Sequence, residues 1–109
     1  MFGLGFKSKV LKVLDAHFNI IPNNTYMQTL PMICNEAKSQ HQNEFSAAIM
    51  LVMVMMNAMP RDGSEQVVEF IEKHTKNIKK VLHESNSPEA EIFEMLTAIR
   101  EDHGLSKKS

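Results

Sequence analysis

AAIMLVMVMM, residues 47–56, is an apolar run with no polar interruption, and what covers it decides the fold. Between Phe45 and Met59 apolar residues fall on every side of a helical wheel, so a helix drawn through this stretch has no face to present to water. A membrane span is not expected. It takes about 20 apolar residues, and this run meets Glu44 and Ser46 on one side and Asn57, Pro60 and Arg61 on the other. Two choices remain: a central helix wrapped by the rest of the chain, or a helix that shares part of its surface with a second copy. Phe45, Ile49, Met50, Met53, Met56 and Met59 are accordingly predicted as core or interface residues. Leaving several such side chains in water costs about 1.5–3 kcal/mol each, more than a marginally stable domain can spare.

The methionines add adaptability. Met50, Met53, Met56 and Met59 recur at every third position, and thioether side chains suit both irregular core gaps and adaptable binding surfaces. They are also soft ligands for Cu(I). A step of three residues falls about 60° short of a full helical turn, so the sulfurs spiral around the helix and do not converge on one ion.

Outward from the run, apolar residues recur at three and four positions and no period-two alternation competes, which predicts an all-α chain of about five helices. The first is expected over Phe6–Phe18, since Gly3 and Gly5 are poor helix formers. In the second, Tyr26, Leu30, Ile33, Cys34 and Ala37 share a face. Pro31 complicates its start, because proline suits a first turn and disrupts an interior. A short turn followed by a main helix from Thr29 or Leu30 is the expectation. The apolar helix then runs from Asn43 to Met59 and stops at Pro60.

The fourth helix, Ser64–Glu84, puts Val67, Val68, Ile71, Ile78, Val81 and Leu82 on one arc, with Glu65, Glu69, Glu72, Lys76 and Lys80 across from it. Ser87 as N-cap and Pro88 at the first helical position start the fifth, which buries Ile92, Leu96 and Ile99 and ends at Gly104. The expected architecture is a compact bundle around an apolar, Met-rich central helix. It forms a single domain over residues 1–104, with a frayed polar tail over 105–109.

Twelve Lys and Arg against thirteen Asp and Glu give a formal net charge of −1, which removes the electrostatic attraction to phosphate that a nucleic-acid binder relies on. No nucleic-acid partner is expected. Cys34 is the only cysteine, so neither an intrachain disulfide nor a CxxC motif can form. The N-terminal MFGLGFKSKV places its lysines after the apolar residues, the reverse of a secretory signal. A reducing cytoplasm fits best.

Candidate chemistry is sparse. His17, His41 and His74 stand where apolar residues would be expected, and together with Cys34 they form a candidate metal site if the helices converge. The competing reading is three packed rings, each bonded to a carbonyl or to water. Lys73, Lys76 and Lys80 form a basic face on the fourth helix, with Glu69 and Glu72 one turn before Lys73 and Lys76 to pair with them. His83 and His103 look exposed or terminal. DGSEQ, residues 62–66, after an apolar helix resembles the acidic glycine turn of helical TerB-like domains over a small part of the chain, but Asp62 alone supplies the acid, and no family is assigned on it.

There is no Gly-rich phosphate loop, no GxSxG and no HExxH, and Cys34 lies on an apolar face where a thiol is usually inert. The expected function is a non-enzymatic protein–protein interaction or regulatory module of adaptor or inhibitor type. It needs no cofactor and is homodimeric through apolar helix surface, its protein partner not being encoded in any motif. The rival expectation is a small bundle holding a metal ion or hydrophobic ligand in a His-lined interior.

Overall fold

A computed structural model of the chain describes residues 2–86 and 90–105, with side chains from residue 5 onward. The described residues form five helices: α1 (Phe2–Phe18), α2 (Asn24–Ser39), α3 (Glu44–Asn57), α4 (Glu65–Ser85) and α5 (Ala90–Asp102). No strand occurs among them. The predicted all-α class is therefore what the chain adopts. The chain divides into two compact units, Met1–Val52 and Met53–Ser109, with the boundary inside α3.

In the first unit α1 packs against α2. Val10, Val13, Leu14 and Phe18 are buried on α1, and Tyr26, Leu30, Ile33, Cys34 and Ala37 on α2. α1 begins at Phe2 rather than Phe6. A glycine in a helix costs only about 1 kcal/mol relative to alanine, which one long helix can absorb.

α2 departs further from expectation. It starts at Asn24, and Pro31 lies inside it. Two features favour the longer helix over the short turn. Asn23 caps it, its side chain accepting the Tyr26 N–H at 3.1 Å, and the early start adds buried Tyr26 one turn before Leu30. Pro31 and Met27 are both exposed, so water can reach the Met27 carbonyl that the proline leaves unbonded.

α2 closes in a Schellman motif with His41 in the left-handed conformation, φ 58°. The Gln42 N–H reaches the Ala37 carbonyl at 2.8 Å and the His41 N–H reaches that of Lys38 at 3.1 Å, satisfying two otherwise orphaned acceptors. Asn43 then caps α3, its side chain accepting the Ser46 N–H at 3.0 Å.

α3 is buried over most of its circumference. Ala47, Ala48, Ile49, Leu51, Val52, Met53, Met55 and Met56 are all buried. At 100° per residue these positions leave one narrow strip, Ser46, Met50, Val54 and Asn57, on the open side. Val54 is 42 % exposed there. The apolar run is thus covered except along that line, whose two ends are polar.

In the second unit α4 buries Val67, Ile71, His74, Thr75, Ile78, Val81 and Leu82, and α5 buries Leu96 and Ile99. The Asp62 side chain accepts the Ser64 N–H at 3.0 Å, an Asx-turn that leads into α4. That bond holds the Asp62 carboxyl below its usual range. Ser64 caps α4, its side chain accepting the Val67 N–H at 3.5 Å, and its carbonyl takes the first helical bond from the Val68 N–H at 2.9 Å. The predicted N-cap Ser87 and Pro88 lie outside the described residues, as does the tail beyond Leu105.

Candidate functional site

The four candidate metal ligands occupy very different environments. His17 on α1 is half-buried and meets the Phe45 ring edge-on, with centroids 5.6 Å apart. His41 is exposed in the turn after α2. The apolar spacing that suggested a buried position for it breaks at the left-handed residue. Cys34 is buried on α2, and burial pushes its thiol up against the smaller opposing pull of Lys7 and Lys38.

His74 is buried on α4, beside the Phe70 ring at 4.4 Å. Burial, and secondarily the Lys73 charge, lowers its pKa to about 4, so the ring is neutral at neutral pH. Among the described residues no three His, Cys, Asp or Glu side chains are placed to hold a metal ion. The constellation of His17, His41, His74 and Cys34 is therefore not assembled, because helical periodicity assigns a face to a residue and not a meeting point in space.

The α3 candidates divide in two. Ile49, Met53 and Met56 are buried, whereas Phe45, Met50 and Met59 are half-buried. Half of this set is thus buried within the single chain, and Met50 lies on the open strip beside Val54. No helix among the described residues is long and apolar enough to cross a membrane.

A groove of about 390 Å³ runs between α4 and α5. Glu72, Thr75, Lys76 and Lys79 line it from α4, and Phe93, Leu96, Thr97 and Arg100 from α5. Each set has the spacing i, i+3, i+4, i+7, which places its members on one helix face. Both hydroxyls are turned to their own helices, Thr75 Oγ1 donating to the Ile71 carbonyl at 2.7 Å and Thr97 Oγ1 to that of Phe93 at 2.9 Å. What the groove offers a visitor is an apolar floor, Phe93 and Leu96, beneath a cationic rim.

The rim is only partly neutralised. An Arg100 guanidinium nitrogen lies 3.9 Å from a Glu72 carboxylate oxygen, and the Lys79 ammonium sits over the Phe93 ring, 5.8 Å from its centroid. Lys76 and Lys79 are exposed. Of the predicted basic face only Lys76 joins the rim; Lys73 and Lys80 are exposed but do not line the groove. Apolar periodicity read one helix at a time does not single out Phe93 and Arg100, whereas the two matching stripes, 72–75–76–79 and 93–96–97–100, compared with each other do.

At the end of α5 the sequence reading of His103 is corrected. His103 is 2 % exposed, folded beneath the loop that precedes α4. Its Nδ1 donates to the Pro60 carbonyl at 3.0 Å, and Arg61 Nε lies 3.3 Å from Asp102 Oδ2 alongside. Left-handed Gly104, φ 74°, closes the helix, with the Leu105 N–H on the Arg100 carbonyl at 2.8 Å. These bonds fix the Arg100 end of the groove. Comparison with protein families, with curated proteins and with solved structures finds no match to this chain.

Proposed function

We propose that the protein is a non-enzymatic interaction module, of adaptor or inhibitor type, that docks an acidic protein segment in the α4–α5 groove. The observation that carries this reading is the pairing of an apolar floor, Phe93 and Leu96, with a rim on which Lys76, Lys79 and Arg100 face the single carboxylate of Glu72. Interfaces draw specificity and encounter rate from such charge complementarity, and affinity from a buried apolar centre. The lining spans eight residues of each helix, roughly 10 Å, enough for one apolar anchor flanked by carboxylates.

The groups most suited to chemistry support contact over catalysis. Burial raises the Cys34 pKa and lowers that of His74 to about 4, so both stay neutral and inside at neutral pH. A lone buried thiol suits a reducing setting, and a cytoplasmic site of action belongs to the same proposal. A second copy of the chain is one partner of the required chemistry.

The test is fluorescence anisotropy with a labelled peptide in which glutamates and leucines alternate, against its lysine–leucine counterpart. The acidic peptide is expected to bind, more weakly as salt rises, and to lose binding to the K76E/K79E variant. Equal binding of both peptides, or none, overturns the reading.

A further inference from the structure

Resting on that reading of the groove, we infer that its occupant is α5 of a second copy, so that two chains pair about a twofold axis. The complementary surface lies on the same helix. Glu94, Ala98 and Glu101 are exposed on α5, at spacing i, i+4, i+7. At 100° per residue this stripe runs directly beside the groove-lining Phe93, Thr97 and Arg100.

A twofold interface requires one patch to carry both halves of the match, because residue i meets residue j and j meets i. Adjacent cationic and anionic stripes on one face supply that. With two α5 helices antiparallel across the axis, Lys76 and Lys79 of each chain reach Glu94 and Glu101 of the other, and Ala98 keeps the approach close. The groove floor, half-buried Phe93 above all, is then covered from both sides. A formal net charge of −1 sets little long-range repulsion against association. The contact covers parts of only two helices per chain, which places it among small, reversible interfaces.

Sedimentation velocity on the full chain across the micromolar range tests the pairing. The wild type is expected to self-associate, less so at high salt. The K76E/K79E and E94K/E101K variants, each confirmed folded by circular dichroism, are each expected to weaken the dimer by about a hundredfold, since like charges then face each other. An equimolar mixture of the two is expected to restore it, because the acidic groove of the first then meets the basic stripe of the second, and the basic groove of the second meets the acidic stripe of the first. A wild type that stays monomeric, variants that dimerise as the wild type does, or a mixture that fails to pair each overturn the inference. A monomeric wild type that still binds the glutamate–leucine peptide overturns the pairing and leaves the groove reading standing.

Discussion

The ring Nδ1 of His103 lies 3.0 Å from the carbonyl oxygen of Pro60, joining residues 43 apart in sequence. A carbonyl only accepts, so Nδ1 carries the proton, and Nε2 is left buried with no hydrogen-bond partner among the described residues. The bond ties the loop before α4 to the end of α5. His103→Ala removes both the bond and a buried ring, and is expected to lower unfolding free energy by about 2–4 kcal/mol. Arg61→Ala, which loses the neighbouring exposed pair with Asp102, is expected to cost less than about 1 kcal/mol. Urea denaturation of the two variants checks the contrast; equal losses would mean the histidine is not the anchor.

Stability should fall on mild acidification because of His74. Its pKa is about 4 in the fold against 6.5 in the free side chain, so between those values the unfolded chain binds the extra proton and stability rises with pH. The contribution is complete above the unfolded value and is lost as the pH falls to the folded one. It amounts to on the order of 3 kcal/mol. Urea midpoints measured from pH 4 to 7 are expected to slope less in His74→Leu than in the wild type, and parallel curves would refute the assignment.

Pro31 is a defect that α2 tolerates. Replacing it with alanine returns an N–H to the Met27 carbonyl and relieves the ring clash, a gain of up to about 3 kcal/mol, offset by a looser unfolded chain. A net gain of about 1–2 kcal/mol is expected for Pro31→Ala. Thermal or urea unfolding reads it, and a loss would mean that the helix is shaped around the proline.

The two sides of α3 should respond unequally. Met56 is fully buried and Val54 is 42 % exposed. Met56→Ala is expected to cost about 2–5 kcal/mol and Val54→Ala less than about 1 kcal/mol. Comparable losses in denaturant titrations would show that the open strip is covered in solution.

Much of the fold was legible. The period of Val67, Ile71, Ile78 and Leu82 is enough to place α4, and Pro60 enough to end α3, because burial periodicity and proline sterics act locally. The start of α2 was not legible, since a first-turn proline is locally favourable and only the buried Tyr26 and the Asn23 cap decide otherwise. His41 was misplaced for a related reason: a histidine at φ 58° breaks helical spacing with no mark in the sequence. The groove was half legible. Its two stripes can be read from residue spacing, but that Glu72 and Arg100 face each other is a tertiary fact.

The helix ends have a practical consequence. Asn19, His41 and Asn86 all hold positive φ, as Gly63 and Gly104 do, and a side chain in that conformation carries a steric penalty of roughly 1 kcal/mol that glycine avoids. His41 is exposed and does not line the groove, so a His41→Gly substitution offers a route to a more heat-resistant protein with the groove-lining residues unchanged.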